Sequence, residues 1–203
     1  SLPIISSPMD TITGEAMACA VDTAGGLGIV HRYNSIDEQA KMVMNITSDN
    51  HNVGAAIGIG EDYIERALTL ARAGVTFLCI DVAHGHHCKV RDALASLREV
   101  LGEDIHIMAG NVATLEAFND LADWGADSVR VGIGGGSICS TRVQTGHGMP
   151  TLQSVMDCAQ SDRDVALVAD GGIRTSGDIV KALAAGADFV MLGSLLAGTD
   201  ETP

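Results

Sequence analysis

Three segments of the chain repeat one another: AGVTFLCIDV from Ala73, WGADSVRVGI from Trp124 and AGADFVMLGS from Ala185. Each has a glycine in second place suited to stopping a helix, takes a short polar step, and enters an apolar run suited to a strand buried on both faces. The pattern extends to eight strand candidates: PIISSPM, GIVHR, VGAAIG, FLCIDV, IHIMAG, SVRVGI, ALVADGG and FVMLGS. They begin near residues 3, 28, 53, 77, 105, 128, 166 and 189. Most are spaced by about 24 residues, which is one strand, one helix and two short loops. This alternation predicts an α/β fold, a parallel (β/α)8 TIM barrel, with an open doubly wound sheet as the lesser alternative.

The segments between strands carry helix signals. In YIERALTLARAG, Ile64, Ala67, Leu68 and Ala71 fall on one helical face. Ser35 with Glu38, and Thr175 with Asp178, have capping-box spacing. After the eighth strand the chain runs to TDETP without a clear eighth helix, and it opens on the first strand without an initiator methionine. The expectation is a single barrel core over residues 1–203, cut from a longer protein.

Charge narrows the partners. The chain has 12 Lys and Arg against 26 Asp and Glu, a formal net charge of −14. Such a surface repels nucleic-acid backbones and anionic lipid, so neither is an expected partner, and an anionic ligand must be held locally. No apolar run reaches about 18 residues, so no membrane span is expected, and no secretory leader is recognisable. The five cysteines show no CxxC pair, which argues against a disulfide framework or structural zinc and for a reducing cytoplasm.

Barrel chemistry belongs at the C-terminal ends of the strands, with phosphate often bound after strands 7 and 8. Strand 7 ends in Asp170-Gly171-Gly172 and strand 8 in Gly193-Ser194. Their backbone N–H groups, with the Ser194 and Ser137 hydroxyls, could cradle a monophosphate, or the glycines could simply be turn residues. Asp170 is placed to accept hydrogen bonds from a ribose diol. The one long step, about 38 residues, separates strands 6 and 7 and carries VGIGGGSICSTRVQTGHGMP. Its glycines do not match a dinucleotide fingerprint, since Ser137 stands where the third glycine belongs and no helix starts at once. Cys139 lies among backbone donors beside Ser140, Thr141 and Arg142, which suits a thiolate nucleophile; a buried loop thiol is the alternative. Cys19, Cys79 and Cys158 have apolar contexts and read as core residues. The HGHHC cluster from His84 to Cys88 invites a metal, but adjacent rings diverge and no second ligand cluster accompanies it.

GIGGGSICSTR resembles the catalytic-cysteine loop of the IMP dehydrogenase/GMP reductase family. SSPMDTIT, GLGIVHRYNSIDEQ, DVAHGH, AGNVAT, ADGGIRTSGDIVKALAAGAD and VMLGSLLAGTDE match further blocks of that family in the same order. The resemblance covers nearly the whole chain. It implies that Cys139 attacks C2 of a purine nucleoside monophosphate, with Thr141 assisting proton transfer. Ser7 and Met9 would line the nucleotide pocket; Ser137, Gly172, Gly193 and Ser194 would bind phosphate, and Asp170 the ribose. Asp81, His84, Asn111 and Arg130 would face the nicotinamide of NAD, or of NADPH in a reductase. The carbonyls of Gly134, Gly136 and Cys139 match positions that hold potassium in the dehydrogenases. Gly135 stands where GIGPGS has proline, which loosens the loop. The family's habit is a homotetramer.

The same blocks bear on direction. GSLLAG, DGGIR and GTDE are similar to dehydrogenases, while RVQTGHGMPTLQ and DFVMLG lean towards reductases. Only MVMNITSDNHN links the second and third strands, so the regulatory CBS pair that dehydrogenases usually insert there is absent. That favours a reductase or a compact dehydrogenase. The flap that separates the two activities would lie beyond Pro203. The balance favours NAD-dependent oxidation of IMP to XMP, with GMP reductase as the alternative. More distant alternatives are an FMN-binding barrel, since DGGIR and GDIVKALAAGA also resemble flavin barrels, and a non-catalytic nucleotide-binding barrel.

Overall fold

The computed structural model describes residues 2–203. Eight parallel strands close into a barrel: β1 (Ile4–Ser6), β2 (Leu27–Val30), β3 (Val53–Ile57), β4 (Phe77–Asp81), β5 (His106–Val112), β6 (Ser128–Val131), β7 (Ala166–Asp170) and β8 (Phe189–Leu192). Each pairs with its successor, and β8 returns to β1 in the register Ile4 to Val190, Ile5 to Met191 and Ser6 to Leu192. The fold is therefore the (β/α)8 barrel expected from the repeating unit, and not the open sheet.

Helices α1 (Glu15–Thr23), α2 (Ile36–Ser48), α3 (Tyr63–Arg72), α4 (Cys88–Leu101) and α5 (Leu115–Asp123) follow the first five strands. Between β6 and β7 lie a short helix, α6 (Thr141–Thr145), and α7 (Thr151–Cys158); α8 (Ser176–Ala184) joins β7 to β8. Only turns follow β8. Several helix ends are stopped as the repeats suggested: Gly74, Gly125 and Gly186 all have positive φ just after a helix.

Strand alternation divides the core in two. Leu78, Ile80, Ile107, Ala109, Val129, Val131, Leu167 and Ala169 face outward and pack against the helices. Ile5, Ile29, Ala56, Cys79, Met108, Val168 and Met191 face inward and fill the barrel.

One helix expectation needs correction, while both expected helix starts stand. The buried stripe of α3 is Arg66, Ala67 and Leu70, flanked by Tyr63, Ile64 and Ala71, and Leu68 sits half-buried to one side. Hydropathy missed Arg66 because a buried arginine looks wrong until its partners are seen. Its guanidinium donates to Gln39 Oε1 at 2.9 Å and to Asp62 Oδ2 at 3.2 Å. At the caps, Ser35 and Glu38 form a complete capping box, but Thr175 and Asp178 form half of one. Asp178 N–H reaches Thr175 Oγ1, whereas the Asp178 carboxylate accepts the Arg174 N–H.

Candidate active site

Because side chains on a strand alternate, Ser128 and Arg130 of β6 share the inward face, as do Cys79 and Asp81 of β4 and Val168 and Asp170 of β7. The last inward positions are thus charged, above an apolar layer. Arg130 is 5% exposed. Its Nη1 donates to Asp81 Oδ1 at 2.9 Å and lies 3.3 Å from Cys79 Sγ, and its Nη2 donates to Asp170 Oδ2 at 2.9 Å. Burial opposes the charge, but Cys79, Asp170 and Asp81 outweigh it and hold the guanidinium firmly protonated. Asn111, at the register shift in β5, gives one amide group to both Gly132 O, at 2.8 Å, and Asp170 Oδ2, at 2.7 Å. Arg130 is a strut between two carboxylates.

The loop after β6 starts with a backbone crossing. Gly132 has φ 148°, and a Cβ there would lie 1.9 Å from Asp170 O, so only glycine fits. Further on, Cys139 N–H donates to Gly136 O at 3.1 Å, and Cys139 Sγ lies 3.4 Å from Thr141 Oγ1. Hydrogen bonds from the Thr141 hydroxyl and backbone N–H, with help from Gly134 N–H and the Arg142 charge, hold the Cys139 thiol below the ordinary value. The cysteines read as core residues behave oppositely. Burial pushes Cys79 up to about 11 and Cys158 up to about 12, and raises Cys19 as well.

Two cavities that hold residues singled out above flank this loop, beside a third of about 470 Å³ lined by residues 134–137, Arg142, Gly172 and Arg174. One, of about 180 Å³, is lined by Ser7, Met9, Ser137, Asp170, Gly172, Gly193 and Ser194, together with Ile138, Ile173 and others. All seven residues expected to hold the nucleotide therefore share one cavity, and Ser137 Oγ lies 3.1 Å from Ser194 Oγ. The other, of about 350 Å³, is lined by Asp81, Asn111, Arg130, Gly134, Cys139 and Thr141. His84 is not among its lining residues; it is exposed and sets its ring edge-on to His87. The rest of HGHHC disperses too: His86 Nε2 pairs with Asp120 at 2.7 Å, and His87 Nδ1 accepts the Lys89 N–H that caps α4. Of the carbonyls expected to hold potassium, that of Gly136 already accepts the Cys139 N–H.

Arg32 and Tyr33 also line the second cavity and were not singled out from sequence. Arg32 Nη2 donates to Asp81 O at 3.2 Å, and its buried Nε, beyond hydrogen-bond geometry, pairs with Asp81 Oδ2 at 3.6 Å. The available signal was the abrupt polar step from Val30 to His31-Arg32-Tyr33 at a strand's C-terminal end.

The profile of the IMP dehydrogenase / GMP reductase domain matches residues 1–203. The chain belongs to that family. It is 48% identical over 188 residues to an inosine-5'-monophosphate dehydrogenase of Chlorobaculum parvum, covering 90% of this chain and 38% of that protein. A protein named GMP reductase from Leishmania major is 51% identical over 166 residues, 79% of this chain and 34% of its own length. An inosine-5'-monophosphate dehydrogenase of Borreliella burgdorferi is 36% identical over 255 residues, spanning 100% of this chain and 63% of that protein. The chain thus spans between about a third and under two thirds of the length of these relatives. Among the described residues no helix is long and apolar enough to cross a membrane.

Proposed function

We propose that the chain is the catalytic barrel core, without a CBS insert, of an NAD-dependent IMP dehydrogenase that oxidises IMP to XMP for guanine nucleotide synthesis. The observation that carries this reading is the division of one loop. Ser137 and Ile138 line the cavity with the phosphate-type cradle, while Cys139 and Thr141 line the cavity with Asp81 and Arg130. A thiol held below its ordinary pKa therefore sits where a base anchored from one side would meet a cofactor entering from the other.

In this reading Gly172, Gly193, Ser137 and Ser194 hold the phosphate through N–H and hydroxyl donors, Ser7 and Met9 line the base, and Asp170 accepts from the ribose. The Cys139 thiolate adds to C2 of IMP, forming a carbon–sulfur bond. NAD, when bound, supplies the acceptor for the hydride that leaves C2. Water then attacks the resulting thioimidate, the carbon–sulfur bond breaks, and XMP leaves with the thiolate restored. Thr141, within 3.4 Å of Sγ, is placed to hold a proton near the adduct. The second cavity suits a dinucleotide: Asp81 can accept from ribose hydroxyls, and Arg32, paired with Asp81 at 3.6 Å, brings a positive charge to its wall. Potassium is proposed only as a candidate ion for the carbonyls of Gly134, Gly136 and Cys139, and no step above requires it. A cytoplasmic homotetramer completes the proposal.

The second reading is GMP reductase, favoured by the 51% identity to the Leishmania major protein of that name. There the same thiolate would displace ammonia from C2 of GMP, with NADPH as reductant and IMP as product. Absorbance at 340 nm separates the two with the full-length protein. IMP plus NAD should give a rise; a fall with GMP plus NADPH would select the reductase, and no change in either mixture overturns both.

A further inference from the structure

Glycine at position 135 suggests a loosened loop, but another side chain fills the space. A Cβ added at Gly135 would lie 2.3 Å from Thr151 Oγ1. Thr151 is the first residue of α7, and its buried hydroxyl has no hydrogen-bond partner. The same hydroxyl lies 3.8 Å from where a Gly172 Cβ would stand, and Thr151 Cγ2 lies 3.5 Å from the corresponding point at Gly132. One β-branched side chain therefore packs against the end of β6, the middle of the cysteine loop and the phosphate cradle. Neither partner yields easily, since threonine is stiff at χ1 and what it meets is backbone. The loop also touches the cradle directly: a Cβ at Gly171 would lie 3.0 Å from Gly136 N.

We infer that Thr151 is a positioning residue, forming with Gly135 a reciprocal pair in which only one member can be large, and that this pair sets the location of Cys139. The link is short. A displaced Gly135 carries Gly136 with it, and Gly136 O is the acceptor for Cys139 N–H. The oxygen of Thr151 fits where a bulkier methyl would press on the loop, which accounts for a hydroxyl left without a partner. The inference deepens the proposed reaction and rests on Cys139 as its nucleophile, but it can be tested without turnover.

The test is alkylation by iodoacetamide of the full-length protein, read by mass spectrometry at Cys139 against the exposed Cys88 as internal reference. Gly135→Ala should slow Cys139 about tenfold or more relative to Cys88, with kcat falling in parallel. Thr151→Val, which puts a methyl where the hydroxyl sits, should act in the same direction. Thr151→Ala alone should change the ratio by less than about threefold, and the double variant Gly135→Ala/Thr151→Ala should recover most of the loss. Recovery in the double variant also shows that the single one did not fail by general unfolding. Unchanged Cys139 reactivity in both Gly135→Ala and Thr151→Val, or no recovery in a folded double variant, overturns the inference. Wild-type protein without turnover would overturn the proposed reaction, while the alkylation pattern would still decide the pair.

Discussion

The two ends of this barrel are made by the same strands and have opposite chemistry. At the N-terminal end the inward residues include Phe77, His106, Ser128 and Ala166, around an almost wholly apolar cavity of about 230 Å³. The ring of His106 stacks on Phe77 with centroids 4.1 Å apart, and its Nε2 lies 2.8 Å from Ser128 Oγ. Two to four residues further along β4, β6 and β7, the inward positions become Asp81, Arg130 and Asp170. At the first end the polar atoms answer each other across the strands. At the second they hold each other in place and still have capacity facing open cavities. The difference explains how one scaffold can be rigid and reactive: rigidity comes from the apolar layer between the ends, and reactivity is confined to what lies above it.

The largest expected break in that comparison is Cys139→Ala, which should reduce turnover by about four orders of magnitude or more while leaving nucleotide binding by calorimetry intact. Retained turnover would remove the C-terminal loop from the chemistry. Next comes Arg130→Met. Taking away a buried cation leaves Asp81 and Asp170 facing each other, and the expected loss is about 3–5 kcal/mol in denaturant unfolding. If Arg130 were only a cofactor contact, stability would not change and only the dinucleotide KM would rise. Ser194→Ala should have a smaller effect, raising the nucleotide KM about tenfold with kcat nearly unchanged, because it removes one donor to a charged group. An equal fall in kcat would place Ser194 closer to the reacting base than the cradle suggests.

At the opposite end, His106→Phe should leave kinetics alone and alter only the acid limb of stability. Burial lowers the His106 pKa below the ordinary imidazole value. The folded state therefore binds its proton less readily than the unfolded chain does. The resulting contribution is complete above about pH 6.5 and is lost as pH falls from there through the lower folded-state pKa. The phenylalanine variant should be flatter than wild type below that pH in urea titrations. A change in turnover instead would show that the two ends communicate.

Much of this arrangement was legible in the chain, because the relevant signals are local. A glycine after a helix and a short apolar run after the glycine are read within ten residues, and the strand starts followed from them. That Ser137, Asp170, Gly172, Gly193 and Ser194 line one cavity was legible for a similar reason, since they sit at or near strand ends and strand order fixes their neighbours. What escaped depends on partners distant in sequence. Arg66 belongs to a buried stripe only because Gln39 comes from α2. Arg130 becomes a strut only because β4 and β7 bring carboxylates to both sides of it. His84 lies in a motif shared with the family, yet no local rule says where its ring turns once the loop leaves β4. Arg32 and Tyr33 were hidden by standing at the end of a strand noted mainly for its apolar residues.

The ladder between β1 and β8 adds a consequence for how the chain reaches this state. Every other strand pairing joins neighbours one unit apart, whereas this one joins nearly the two extremes of the sequence. Such a contact contributes nothing until the intervening strands have curved round, so the seam is expected to be the last ladder to form. Its amides, Val190 N–H on Pro3 O and Ser7 N–H on Leu192 O, both at 2.9 Å, act as a zipper whose exchange with solvent times the opening of the ring. Ser7 and Gly193 line the cavity proposed for the nucleotide on this same seam. A bound nucleotide would therefore clasp the ring shut, and the substrate would slow the protein's own unfolding.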